Sequence, residues 1–200
     1  MLLFPRVNHS TSKLPTLLRP REIRELGMTP AGFRTLVRNG ELERVSRGLY
    51  LNPKSGYSEL LTLAEVMKRV PNGIVCLYSA LELHGIGTQW PKQLWIAIDR
   101  KARRPILPDF DLRIVRFSGP MLTEGILERE TDGVRYRITS PARAIVDCFR
   151  YRRKFGLDAA LEALKDGIRT GKVFANEIDP LADACRIRTV IGPYLEAVLA

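Results

Sequence analysis

Thr29 to Leu51 reads TPAGFRTLVRNGELERVSRGLYL, and the rest of the chain is best read outward from it. Thr29 can cap a helix. Pro30 suits the first helical position, where an N–H would have no partner anyway. Phe33, Leu36 and Val37 recur at i, i+3 and i+4 and predict one apolar stripe, with Ala31, Arg34, Thr35 and Arg38 on another face. Asn39-Gly40 predicts the stop, because glycine tolerates the left-handed backbone at a helix C-terminus. Leu42 to Val45, a Ser46-Arg47-Gly48 turn and Leu49 to Leu51 follow as a small hairpin. A short helix with exposed Arg and Thr, then a basic-tipped hairpin, is the layout of a winged helix-turn-helix. Its helix would enter the major groove and its hairpin would touch the flanking backbone. The expected DNA-binding residues are Thr29, Ala31, Arg34, Thr35 and Arg38 on the helix, with Arg44, Ser46 and Arg47 on the wing. The same pattern also suits a helix and hairpin in any small α+β domain.

Charge points the same way. The chain carries a net +10, with a pI near 9.9. A basic protein of this size often meets a polyanion. Residues 1–57 hold 10 Lys/Arg against 4 Glu, whereas residues 58–200 hold 22 Lys/Arg against 18 Asp/Glu. The quarter of the chain with the helix and hairpin thus carries more than half of the excess. At 45% hydrophobic and 27% charged residues, the composition is that of a globular protein and not a disordered one. Cys76, Cys148 and Cys185 are odd in number and widely spaced, without a CxxC, which argues against disulfides and zinc and fits a reducing cytoplasm. No apolar run approaches the ~18 residues of a membrane span. The start, MLLFPRVNHS, has Pro5 in a very short apolar patch and does not read as a signal peptide.

Along the chain, residues 1–18 read as an arm or lead-in and 19–54 as the winged unit. Arg21 to Leu26 is expected to form a short helix ended by Gly27. The first helix of a winged fold has only residues 1–18 for itself, and their prolines disfavour it. Asn52 to Gly56 reads as a linker by its turn residues. Beyond it, 58–200 reads as a second domain. A helix is predicted over Ser58 to Arg69, then an apolar run from Ile74 to Leu77 and a helix from Ser79 to Leu83. Strands are predicted at Leu94 to Ile98 and Leu112 to Phe117, joined by the basic loop Arg100-Lys101-Ala102-Arg103-Arg104. Ile126 to Thr131 and Val134 to Thr139 make a hairpin about Asp132-Gly133, which sets Glu130 opposite Arg135 and Glu128 opposite Arg137 as structural ion pairs. Ser140-Pro141 opens a helix with Ala142, Ile145, Val146 and Phe149 inward. Three or four further helices end the chain, the last broken or restarted at Gly192-Pro193.

Signals of catalysis are sparse. The two histidines are His9, in the polar lead-in, and His84, before Gly85 at a helix end, where capping or packing is its expected work. No GxSxG, HExxH, GxGxxG or GxxxxGK[ST] occurs, so no cofactor or catalytic metal is called for and the chain does not read as an enzyme. Asp99, Asp109 and Asp111 cluster near a strand end but lack the Asp…Glu-x-Lys spacing of a nuclease.

Three segments resemble one family. GELERVSRGLYL, Gly40 to Leu51, has the form G-x-L-x-x-V-x-R-G-x-Y found in the wings of AbiEi-type antitoxins and the transcriptional regulators like them. VCLYSALELHGI, Val75 to Ile86, is similar to the S-A…L-H-G segment that begins that family's second domain. DGVRYRITSPARAIVDCFRY, Asp132 to Tyr151, is similar to its D-G…T-S-P-x-R…D segment. The three lie in family order and cover most of residues 20–170. The resemblance implies an α+β fold: an N-terminal winged helix-turn-helix followed by a larger mixed α/β C-terminal domain. It further implies an antitoxin that represses its own operon at repeated promoter sequences. The C-terminal domain would counteract a nucleotidyltransferase-like toxin, often without a stable complex between the two. Solitary regulators also occur in the family.

Overall fold

Local rules account for most elements of the computed structural model, which describes residues 14–88 and 92–200. The chain divides into two compact units. Of the described residues, the first unit takes 14–69 together with Glu130–Arg135, and the second takes Val70–Arg129 and Tyr136–Ala200.

The first unit runs β1 (Leu17–Leu18), a 3-10 turn (Pro20–Glu22), α1 (Pro30–Arg38), β2 (Glu43–Ser46), β3 (Leu49–Leu51), a second 3-10 turn (Pro53–Ser55) and α2 (Leu61–Arg69). Its sheet has the order β1-β3-β2 and is antiparallel, with Leu18 opposite Tyr50 and Arg44 opposite Tyr50 on the other side. Leu14, Leu18, Ile23, Met28, Phe33 and Leu42 form the buried cluster, with Leu26, Leu36, Val37 and Tyr50 packed against it. Leu14, Leu17 and Leu18, read from sequence as part of the lead-in, are all buried. Successive strand residues point to opposite faces, so Leu18 enters the cluster while Leu17 turns to the other side of the sheet. Helix α2, which the sequence reading gave to the second domain, packs on β1. Arg19 Nη2 donates to the Lys68 carbonyl at its C-terminal end, and Lys68 pairs with Glu22 at 2.9 Å.

The helix expected over Arg21 to Leu26 is instead the 3-10 turn Pro20–Glu22 followed by irregular turns to Gly27. Too few residues separate Pro20 from Gly27 to repay helix nucleation. The bends close through Gly27 N–H to Arg24 carbonyl at 3.0 Å and Met28 N–H to Ile23 carbonyl at 2.9 Å. The stretch read as a linker is tied down at its start. Asn52 is fully buried, donates its amide to the Leu14 carbonyl at 3.2 Å and accepts from the Lys54 N–H at 3.2 Å.

The second unit contains β4 (Ile74–Val75), α3 (Leu77–His84), β5 (Leu94–Asp99), β6 (Leu112–Phe117), the hairpin β7 (Ile126–Thr131) and β8 (Val134–Thr139) apart from its tip Glu130–Arg135, α4 (Pro141–Arg150), α5 (Arg152–Phe155), α6 (Leu157–Arg169), α7 (Ala175–Ala184) and α8 (Arg188–Leu199). The sheet order is β6-β5-β4-β8-β7; β5 and β6 are parallel, as are β4 and β8, while β4 and β5 are antiparallel. Asp132 and Gly133 have φ of 49° and 73°, the paired positive values that a two-residue hairpin turn needs. Glu130 meets Arg135 at 3.4 Å as expected, but Arg137 donates to the Leu122 carbonyl, where Glu128 was the expected partner. Helix α4 is the hub, touching α3, α6 and α7, and all eight residues from Ala142 to Phe149 are buried. Helix α8 is not broken at Gly192-Pro193. It runs through Pro193, and the carbonyl deprived of its donor there belongs to exposed Thr189.

Candidate nucleic-acid interface

Helix α1 is held in one rotational setting by three local devices. The Thr29 hydroxyl oxygen accepts the Gly32 N–H at 3.1 Å, with Pro30 behind it. Phe33 is buried and meets Tyr50 edge to face, ring centroids 4.8 Å apart at 86°. After Asn39, Gly40 takes φ +72° and the Glu41 N–H returns to the Leu36 carbonyl at 2.9 Å. The opposite face is thereby exposed, and it consists of Ala31, Arg34, Thr35 and Arg38. Neither guanidinium has a partner among the described residues. Thr35 spends its hydroxyl proton on the Ala31 carbonyl at 3.1 Å, so it presents a methyl group and an accepting oxygen.

The hairpin that follows is exposed along β2, and its tip is Arg47-Gly48, with Gly48 at φ +71°. Arg47 extends from that tip without a partner among the described residues. The register slips between Arg44 and Ser46, so Val45 is an extra, bulged residue. Arg44 sits opposite Tyr50 and its Nε donates to the Ser46 carbonyl at 3.4 Å. The Ser46 hydroxyl oxygen is buried and has no hydrogen-bond partner among the described residues. The structure therefore brings Arg34, Thr35, Arg38 and Ala31 onto one open helix face and puts Arg47 at the hairpin tip. Thr29 serves first as a cap. Sequence reading passed over Arg21 and Arg24, two exposed cations in the turns before α1; the basic spacing R-E-I-R was the available signal. The first helix of a winged fold would fall largely on residues 1–13, outside the described residues.

This strand, capped helix and basic-tipped hairpin coincide with a known module. Residues 10–53 match the family model of AbiEi antitoxin transcriptional regulators. The matched span ends at Pro53, just after β3, and takes in every expected DNA-binding residue. No functionally curated protein matches the chain. Among solved structures, the crystal structure of the RV2827C protein from Mycobacterium tuberculosis is similar at a TM-score of 0.59 and 15% identity, over 94% of this chain and 77% of that one. At that identity the likeness is one of fold.

The segments Val75 to Ile86 and Asp132 to Tyr151 lie outside the matched span and are held by buried polar contacts. Ser79 Oγ accepts the Trp95 N–H at 2.9 Å, fixing α3 to β5. His84 Nε2 lies 2.7 Å from the Thr139 carbonyl, and burial holds its imidazole below the ordinary value. Ser140 caps α4 by accepting the Arg143 N–H at 3.2 Å. Arg143 is wholly buried: its Nε meets Asp147 at 3.0 Å, Nη1 and Nη2 donate to the Glu124 and Met121 carbonyls at 2.5 and 3.2 Å, and its Cζ lies 5.2 Å from the centre of the Phe117 ring. Burial pushes the Asp147 carboxyl up to about 6, against the pull of Arg143. Asp99 is occupied locally, its Oδ1 accepting the Lys101 N–H at 2.7 Å. Among the described residues no group of three or more His, Cys, Asp or Glu is placed to hold a metal ion, and no helix is long and apolar enough to cross a membrane.

Proposed function

We propose that this protein is a sequence-specific DNA-binding transcriptional regulator of the AbiEi type, built on a winged helix-turn-helix, and that it is the antitoxin and autorepressor of a toxin–antitoxin operon. The observation that carries the reading is the open face of α1, where Arg34 and Arg38 stand without protein partners beside Thr35 and Ala31. Leaving two cations unpaired on one face serves nothing inside the fold, whereas a guanidinium forms two hydrogen bonds with a guanine edge in the major groove. The basic hairpin tip suits the neighbouring phosphates. The AbiEi match over residues 10–53 supports both the regulatory role and the antitoxin role. On this reading the partners are duplex DNA, with repeated operator sequences, and a nucleotidyltransferase-like toxin that need not form a stable complex. The protein works in the cytoplasm, without a cofactor and without catalysis.

Arg34→Ala tests it. The substitution should cost about 1–3 kcal/mol on the specific site and relax preference at one base position. Equal losses on specific and random duplexes, measured by fluorescence anisotropy, would make Arg34 a phosphate contact and remove base reading from this face.

A further inference from the structure

The outermost strand of the second unit's sheet, β6, presents an open edge. The Asp111 carbonyl accepts the Leu94 N–H at 3.0 Å and the Phe117 carbonyl accepts the Arg100 N–H at 2.8 Å, so the odd-numbered residues of β6 bond to β5. Backbone groups alternate in direction along a strand, and Leu112, Ile114 and Arg116 therefore turn theirs outward. The Tyr151 hydroxyl donates to the Arg116 carbonyl at 2.7 Å, in keeping with that phase. The outward N–H and carbonyl groups of Leu112 and Ile114 have no partner among the described residues. Beside them lies a groove of about 170 Å³, lined by Arg104, Ile106, Leu107, Phe110, Leu112 and Ile114. Its lip is Ile106, 76% exposed, the most exposed large apolar side chain among the described residues. A slack loop does not account for this display. Pro105 and Pro108 each have a fixed φ, and the Phe110 N–H closes a turn on the Leu107 carbonyl at 3.1 Å.

We infer that β6 takes an acidic, extended segment of a partner protein as a further strand of the sheet, with apolar side chains at alternate positions of that segment seated in the groove. In strand addition, main-chain hydrogen bonds supply affinity and pockets for every second side chain supply selectivity. Leu112 and Ile114 offer both at the same two positions. Charge selects the occupant. Residues 100–117 hold six Lys/Arg against Asp109 and Asp111, and Arg103 and Arg104 are exposed beside the groove. A second copy of this chain on the same edge would set those cations against themselves, which is how natural sheets resist self-pairing. Acidic residues would instead meet complementary charge. A nucleic acid would answer the charge but leave Ile106 and the unpaired strand groups of Leu112 and Ile114 unused. The inference draws only on residues of the second unit and is independent of the proposed DNA-binding function.

The test is an amide-resolved NMR titration of the full chain with two capped peptides of about seven residues, one alternating Glu and Val, the other alternating Lys and Val. The Glu peptide should bind saturably, shift the amides of Leu112, Ile114 and Arg116 and slow their exchange with solvent, whereas the Lys peptide should not bind. Leu112→Pro removes an outward donor without breaking the ladder to β5, and should weaken the Glu peptide about tenfold. Ile106→Ala removes the exposed anchor and should weaken it by about as much, which keeps the test decisive if the proline variant does not fold. Arg103→Glu/Arg104→Glu should transfer the preference to the Lys peptide. No binding of the Glu peptide, equal binding of the two, or a bound peptide that leaves the Leu112 and Ile114 amides unprotected overturns the inference, as does full affinity in Ile106→Ala. Protection of the same amides by raised protein concentration alone would give the edge to a second copy, and protection by a random duplex would give it to nucleic acid; either result overturns the assignment.

Discussion

Asp147→Asn asks whether burial or pairing controls the Arg143–Asp147 ion pair sealed inside the second unit. Arg143 and Asp147 are both wholly buried and 3.0 Å apart. Their attraction favours the carboxylate, and loss of water disfavours it. One carboxylate oxygen accepts from Arg143, whereas the other, Oδ2, has no partner among the described residues. Burial therefore prevails, and the carboxyl moves from an ordinary 3.8 to about 6. At 1.36 kcal/mol per pH unit, the ionised group costs the folded state about 3 kcal/mol. The sign follows directly. Below the unfolded value the group is protonated in both states and costs nothing; stability is then lost as pH rises through the folded value. Asparagine does not titrate, so groups common to both proteins cancel in the difference between them. Urea unfolding should be followed from pH 4 to pH 7 by tryptophan fluorescence, since Trp95 is buried in the same unit. Wild type should lose up to about 3 kcal/mol relative to Asp147→Asn across that range. Parallel profiles, or a wild type that gains on the variant as pH rises, would show that the Arg143 pairing outweighs burial and would refute the reasoning. Arg143→Met is the complementary change. It leaves Asp147 unpaired and the Glu124 and Met121 carbonyls without their donor, and should cost about 3–5 kcal/mol at pH 7.

Thr29→Ala removes the α1 cap and should lower the stability of the first unit by about 1 kcal/mol, read as a reduced urea midpoint; an unchanged midpoint would mean that Pro30 and the Phe33–Tyr50 contact set the helix start without it. Arg47→Ala should weaken binding to all duplexes alike and reduce the salt slope by about 1, whereas a change in base preference would place the hairpin tip on a base edge. A fragment of residues 70–200 should fold cooperatively. A fragment of residues 58–200 should be prone to aggregate, because it keeps α2, with buried Leu63, Ala64, Val66 and Met67, but loses the β1 on which that helix packs.

The elements legible in the sequence were those with local punctuation at both ends. Helix α1 lies between Thr29-Pro30 and Asn39-Gly40, the β7–β8 hairpin turns on Asp132-Gly133, and α4 starts at Ser140-Pro141; each was placed within a residue or so. What escaped was set by distant partners. Nothing local distinguishes Leu17-Leu18 from a lead-in, because those residues become a strand only by pairing with Tyr50 and Leu51. Asn52 looks like a turn residue, and so it is, but its buried amide also holds Leu14. Apolar periodicity likewise missed Arg143 and Asp147, because a charged pair spaced i, i+4 reads as a solvated face unless the whole helix is enclosed. Their place in the segment that resembles AbiEi proteins was the one signal that they mattered.

The candidate interface shows the same division at closer range. A helix phased by its cap, by Phe33 and by its glycine stop leaves little freedom in which side chains face outward, so Arg34 and Arg38 could be placed from spacing alone. The hairpin offered no such certainty, because in a strand one extra residue reverses every direction after it. In an even register Arg44 and Ser46 would share a face. The bulge at Val45 separates them: Arg44 pairs with Tyr50, whose ring meets Phe33 of α1, and Ser46 pairs with Leu49 on the other face. The hairpin therefore shows Arg44 on the side of the sheet that faces α1, while the Ser46 hydroxyl oxygen is buried. On the proposed function, Arg44→Ala and Arg47→Ala should each weaken duplex binding, whereas Ser46→Ala, which removes a buried hydroxyl, should leave it unchanged; a loss in Ser46→Ala would return that residue to the interface.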